Sequence, residues 1–354
     1  MKAAVLKSIR QPLSVEEVPD PVLGTGEVIV DVAAARVLPY MNEVLDGRRD
    51  YLLKTPIIPG SGGVGRIRAV GPDATKLKAG DWVFVDSTVR ARDDAISPDI
   101  ILQGLTGGSP AAMPLQTYFH DGSFAQQMRT PTENVTPLGD IDPSRASDWC
   151  ALGTCLVPYG GLLAAGFQAG EVALISGATG NFGSAGVAVA LAMGAACVVA
   201  PGRNKARLAQ LAALFGERIR TVELADDPAE NTRRMMAAAG PIGVVLDLMP
   251  PSADPSHVRS VALAVRPNGR VVLMGGLKCD VSLPHDWLMR NCVTVRGQWM
   301  FPRDAPARLA ALVRAGLLSL SLFRTTVFPL DDIAAALDHA AANAGPFNAT
   351  IVQP

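Results

Sequence analysis

Long apolar runs are missing from this chain. Gly and Pro break the longest of them well before the roughly 20 residues that cross a bilayer, so no stretch reads as a membrane span. An excess of one charge is missing too. The 32 Lys and Arg are matched by 33 Asp and Glu, and the basic residues form no tract, which removes nucleic-acid binding from the candidates. Cysteine is scarce. Cys150, Cys155, Cys197, Cys279 and Cys292 are odd in number and scattered, which excludes a disulfide framework. Three lie in or near apolar runs, and they read as buried thiols of a reducing compartment. A charged-then-apolar leader is also absent, since Met1-Lys2-Ala3-Ala4-Val5 reads as a first strand. These absences give the expectation of a cytoplasmic protein. There are no internal repeats or low-complexity tracts.

What is present divides into two styles of patterning, and 354 residues suit about two domains. The first third carries short β-type runs between turn residues. Glu27-Val28-Ile29-Val30-Asp31-Val32 alternates, Gly62 to Gly71 is a glycine-punctuated strand, and Asp81-Trp82-Val83-Phe84-Val85 follows a Lys78-Ala79-Gly80 turn. This part reads as an antiparallel or barrel-like β domain. Asp86 to Gly122 shows little periodicity and reads as a lobe or extended loop. From about residue 151 strands alternate with helical stretches. Six strands start near Val172, Cys197, Arg220, Val244, Gly269 and Val293, with helices such as Lys205 to Phe215 and Pro228 to Ala239 between them. That alternation predicts a doubly wound parallel sheet. The tail from Asp304 shows a helix, a strand, a second helix at Leu330 to Ala342 and a final strand at Ala349 to Val352. It is expected to return to the first domain.

The most informative stretch is Gly177-Ala178-Thr179-Gly180-Asn181-Phe182-Gly183, between the apolar run Val172 to Ile175 and the small-residue run Ser184 to Gly194. Strand, glycine turn and helix make the phosphate-binding corner of a dinucleotide fold. Gly177 and Gly180 allow the tight turn and leave room for a pyrophosphate. Gly183 lets helix and strand approach, and the helix start faces the phosphate charge. After the second strand an NAD-binding chain places an acid for the ribose hydroxyls. Here the strand ends Ala200-Pro201-Gly202-Arg203-Asn204-Lys205, with Gly202 at the acidic position. A small residue leaves room for a 2′-phosphate and Arg203 can pair with it, with Asn204 and Lys205 as further contacts. This favours NADP; solvated residues at a helix start are the alternative. Gly275 and Gly276, ending the fifth strand, are expected to let the nicotinamide half approach the backbone.

Several motifs in order carry a family resemblance: Pro59-Gly60-Ser61-Gly62-Gly63-Val64-Gly65, Lys78-Ala79-Gly80-Asp81-Trp82-Val83, His120-Asp121-Gly122-Ser123-Phe124-Ala125 and the glycine corner. Over nearly its whole length the chain resembles the medium-chain dehydrogenase/reductase superfamily of zinc alcohol dehydrogenases and quinone reductases. The resemblance implies a GroES-like catalytic domain of residues 1–150 and 298–354 and a Rossmann domain of residues 151–297. It also implies a small-molecule carbonyl or alcohol substrate and a homodimer formed through Val293 to Gly297. The family's three catalytic-zinc positions hold Leu38, Ser61 and Gly153, and Ser87 to His120, the structural-zinc lobe, contains no cysteine. Zinc binds Cys, His or carboxylate, so no metal is expected. The retained lobe favours an alcohol dehydrogenase that has lost both zincs over a quinone reductase; NADPH-dependent reduction of quinones or enones is the alternative.

Without a metal, a side chain must stabilise the developing alkoxide and deliver a proton. By the resemblance, the proton-relay position holds Tyr40, a phenol that either meets the oxyanion or packs against the pocket wall. Asn42 can orient the substrate or cap the following helix. Ser61 offers a hydroxyl at a former ligand position. His120 titrates in the right range, or steadies its loop.

Overall fold

The structure, a computed structural model, describes residues 1–354. The chain forms two compact units. One comprises Met1–Gly153, Leu320–Ala344 and Asn348–Pro354; the other comprises Thr154–Ser319 and Gly345–Phe347. The division departs from the expected boundary after residue 297, because residues 298–319 pack with the second unit. The local cause is glycine. A Cβ on Gly160 would lie 2.7 Å from the Phe301 side chain, so the bare backbone lets the Met300–Phe301 segment pack directly on the helix Ala151–Ala164. Arg308, from the helix Ala305–Arg314, then reaches over the Tyr159 ring.

The first unit is built on a seven-stranded sheet. Its order is Val135–Pro137, Trp82–Val85, Gly63–Val70, Glu27–Val37, Asn348–Gln353 and Arg324–Pro329, with Gln127–Pro131 also paired to Glu27–Val37. All pairings are antiparallel except that of the last two strands in this order. Val28, Val30, Ile67, Val83 and Met128 are buried in its core. The C-terminal strand places Ile351 opposite Arg36.

The segment expected as an extended loop has its own structure. Thr88–Arg90, Ile100–Leu102 and Thr106–Gly107 form a small sheet, and the helix Met113–Tyr118 packs with them around Val89, Ile101, Ala112 and Phe119. Strands of two or three residues are too short for an alternating pattern to show in sequence.

The second unit holds a six-stranded parallel sheet in the order Ile219–Glu223, Cys197–Gly202, Val172–Ser176, Ile242–Asp247, Val265–Leu273, Thr294–Gly297. This is the doubly wound order of a dinucleotide-binding sheet, whose ligands lie beyond the carboxyl ends of the strands. Leu174, Val199, Val245, Val261 and Val271 are buried in its core. The predicted helices Lys205–Phe215 and Pro228–Ala239 are observed with those bounds. The fifth strand, however, ends at Leu273, so Gly275 and Gly276 lie in the turn beyond it. The cysteine expectation also needs correction. Cys150 and Cys155 are buried and Cys197 is half-buried, but Cys279 and Cys292 are exposed. No helix is long and apolar enough to cross a membrane.

Candidate functional site

In the second unit the glycine corner joins Val172–Ser176 to the helix Asn181–Ala192. Gly177 has φ +77°, the left-handed region that favours glycine. Gly180 is the N-cap, and its amide donates to the Gly177 carbonyl at 2.9 Å. Gly183 lies against the turn. A Cβ there would be 2.7 Å from the Ala178 nitrogen and would run into the Gly177 carbonyl oxygen. Thr179, Asn181 and Phe182 are the other residues of this turn and helix start. The bare backbone and the helix's positive end fit a dinucleotide pyrophosphate.

Gly202 ends the neighbouring strand and is buried. A Cβ there would lie 2.6 Å from the Thr179 methyl carbon, so Gly202 is needed where two turns meet. The residues after it have separate roles. Arg203 is exposed, and its charge reaches Asp254 and His257. The Asn204 side chain caps the helix Lys205–Phe215 by accepting from the Arg207 amide at 3.0 Å. Lys205 pairs with Glu223 at 3.0 Å. Asn204 and Lys205 thus have structural partners, leaving Arg203 as the stronger phosphate candidate. Sequence reasoning passed over Arg207, which donates to the Thr179 carbonyl at 3.3 Å and ties the two turns together.

Asp247 also went unnoticed. It ends its strand nearly fully buried, and burial favours its neutral form against hydrogen bonds from Ser176 and the Met249 and Gly275 amides. The Gly275 backbone approaches this carboxylate so closely that a Cβ would strike it. The Gly276 amide donates to the Met249 carbonyl at 2.8 Å. The two glycines thus allow close packing of the strand ends. Nearby, His257 is buried, lies 3.4 Å from the Ser176 hydroxyl, and is pushed toward its neutral form by desolvation and by Arg203.

In the first unit Tyr40 is the N-cap of the short helix Met41–Leu45. The Arg49 guanidinium lies 3.8 Å from its ring centroid, and the Tyr51 ring meets it edge-on at 6.5 Å. Burial is the largest cause holding the phenol protonated; the Arg36 and Arg49 charges act against it. Asn42 does not cap the helix. Its amide reaches Asp338 at 3.3 Å. Ser61 is half-buried between Gly60 and Gly62, both at positive φ. His120 is held at both nitrogens, by Asp121 and by the Lys54 carbonyl, each at 3.0 Å. It lines a cavity of about 620 Å³ with residues such as Val22, Ile58 and Arg129, and Tyr40 is not among the lining residues. Asp121 is the main cause raising its pKa.

Leu38, Ser61 and Gly153 together offer one hydroxyl and neither thiolate nor imidazole, so these positions do not fit a catalytic zinc. No group of three His, Cys, Asp or Glu side chains in the structure is arranged to hold a metal ion.

A dinucleotide corner on a doubly wound sheet, carried with a β domain of this topology, defines an oxidoreductase scaffold. Residues 24–140 match the alcohol dehydrogenase GroES-like domain. An alcohol dehydrogenase of Geobacillus stearothermophilus is 30% identical over 299 residues, 84% of each chain. An acryloyl-coenzyme A reductase of Metallosphaera sedula is 33% identical over 208 residues, 56% of this chain and 58% of its own. Among solved structures, alcohol dehydrogenase TADH from Thermus sp. ATN1 shares the fold with TM-score 0.81 at 20% identity, covering 100% of this chain and 99% of its own. The chain belongs to the alcohol dehydrogenases of the medium-chain dehydrogenase/reductase superfamily.

Proposed function

We propose that this alcohol dehydrogenase-type oxidoreductase uses NADP and works without zinc, interconverting small carbonyl compounds and alcohols. The observation that carries the cofactor choice is Gly202. Its backbone lies against Thr179 with no space for an acidic side chain, and Arg203 follows it, exposed. A carboxylate there would bind ribose hydroxyls and repel a 2′-phosphate; a glycine followed by arginine does the reverse. The pyrophosphate is assigned to Gly177, Thr179, Gly180, Asn181, Phe182 and Gly183. Bound there, the reduced nicotinamide supplies a hydride.

The substrate acid is assigned to the first unit. Tyr40 is the proton donor. Burial keeps its phenol protonated at neutral pH, and the alkoxide formed by hydride addition is a strong enough base to take its proton. Ser61 is assigned as a hydrogen-bond donor to the substrate, and Asn42 and His120 as positioning residues. The protein is placed in the cytoplasm as a homodimer. Support for the dimer is the edge strand Thr294–Gly297, whose residues are all exposed.

The test is a titration of the purified protein with NADPH and NADH, followed by turnover of an aldehyde and ketone panel with and without chelator. Tighter NADH binding, or chelator-sensitive turnover, overturns the proposal. The likeness to an acryloyl-coenzyme A reductase supports a second reading, hydride delivery to a conjugated C=C bond. Turnover of an enone but not of its saturated ketone would select it.

A further inference from the structure

Arg36 belongs to the strand Glu27–Val37, two residues before Leu38 at the first zinc-ligand position. It is a charged side chain with 7% exposure. A Cβ on Gly153, at the third ligand position, would lie 3.8 Å from Arg36 Nε, 3.9 Å from its Cζ and 3.9 Å from the Phe84 ring. A guanidinium therefore stands beside the position where a ligand side chain is missing. Its charge is felt by the two titratable groups around it, the Tyr40 phenol and the Cys150 thiol. Cys150 is itself turned to the Ala34 carbonyl, at 3.4 Å, on the same strand. Where the resemblance puts a metal's ligands, this chain has no thiolate or imidazole, and a cation stands beside the third position.

A catalytic metal in carbonyl reduction supplies positive charge to an oxygen that becomes negative. A guanidinium offers a permanent charge and five N–H donors in a planar fork. We propose that Arg36 replaces the metal in this role, binding the carbonyl oxygen of the substrate and holding the negative charge that forms there. The proposal rests on the carbonyl-reduction reading above and supplies its electrophile. As hydride adds to the carbonyl carbon, the C=O π pair moves onto the oxygen. Arg36 stabilises that oxygen without giving up a proton, and one proton passed from Tyr40 completes the alcohol. The tyrosinate regains its proton from solvent. The carbonyl gains two electrons and two hydrogens, and NADPH leaves as NADP⁺.

The test uses the full chain as wild type, Arg36→Lys and Arg36→Ala. It measures NADPH reduction of an aldehyde and ketone panel, NADPH affinity, the melting profile, and binding of formate as a probe for an anionic oxygen. Expected for Arg36→Ala are a cooperative melt, unchanged NADPH affinity and a loss of about 10²–10³-fold in kcat, as on removing an oxyanion donor. Added guanidinium ion should restore part of that rate in a saturable way, and Arg36→Lys should keep part of it. Formate should bind wild type, compete with the carbonyl, and not bind Arg36→Ala. An Arg36→Ala variant that melts cooperatively with wild-type kcat and wild-type formate binding overturns the proposal. Should that variant fail to fold, a wild-type chain that binds no formate, with or without NADP⁺, overturns it. Should the wild type reduce no carbonyl while formate binding still depends on Arg36, carbonyl reduction fails and the anion site stands.

Discussion

Replacing Gly183 with alanine sets two forces of opposite sign against each other. Gly183 lies in the first turn of the helix Asn181–Ala192. Helix propensity alone makes alanine better there by about 0.8–1.0 kcal/mol. Packing says the opposite. The new Cβ would lie 2.7 Å from the Ala178 nitrogen and overlap the Gly177 carbonyl. Both are backbone atoms, so no rotamer change relieves the overlap, and the helix must move off the strand end. Overpacking costs about 1–3 kcal/mol, and the upper part of that range applies where backbone must shift. Subtracting the propensity gain leaves a net loss of roughly 2 kcal/mol. At roughly 2–4 °C per kcal/mol for a unit of this size, the melting temperature should fall by roughly 4–8 °C. The shifted turn should also weaken NADPH binding. Gly180→Ala is the control. Its nearest new contact, the Gly177 carbonyl oxygen at 3.3 Å, needs a shift of only a few tenths of an ångström, and its φ of −98° is open to any residue, so its melting temperature should fall by much less than that of Gly183→Ala. Calorimetry and a fluorescence titration with NADPH read both variants. A Gly183→Ala protein as stable as wild type, or more so, would refute the steric account.

Arg203→Ala should weaken NADPH binding by roughly 10–100-fold, the worth of a charged hydrogen bond of about 1.5–3 kcal/mol, while leaving NADH affinity nearly unchanged; equal effects on both cofactors would count against a 2′-phosphate contact. Tyr40→Phe should lower kcat by about 10²–10⁴-fold with NADPH affinity intact, and a wild-type rate would remove the phenol from the chemistry. His120 has its folded pKa raised by Asp121, so its contribution to stability is full below the unfolded value near 6.5 and is lost as pH rises through the folded pKa. His120→Gln should therefore lower the melting temperature at pH 5.5 and have little effect at pH 9; the opposite dependence would falsify that sign. Cys279 and Cys292 are exposed, whereas burial pushes the Cys150 thiol up to about 12. A native protein should then lose two thiols quickly to a disulfide reagent and the buried pair only on unfolding, as counted by mass spectrometry.

Much of the second unit was legible before folding. Its strands are apolar runs bounded by turn residues, and helix starts such as Asp227-Pro228 carry their own caps. The lobe was not legible, because its strands are shorter than one full alternation. Gly202 announced itself by standing where an acid is expected. Asp247 did not, since a single acid at the end of an apolar strand looks like any strand boundary. Its importance comes from the Gly275 backbone, brought beside it by pairing of the strands Ile242–Asp247 and Val265–Leu273.

The sequence by itself determined the local features: the glycine corner, the parallel-sheet alternation, and the absence of thiolate or imidazole at the three ligand positions. Each is a property of a few neighbouring residues, and backbone sterics or ligand chemistry reads it directly. The tertiary structure decided which distant groups share a place. Arg36 is one charged residue in an apolar run, and Gly153 is one glycine near a helix start. Neither carries a signal alone. Only the packing of the first unit sets the guanidinium beside Gly153, and the proposed role of Arg36 rests on that juxtaposition.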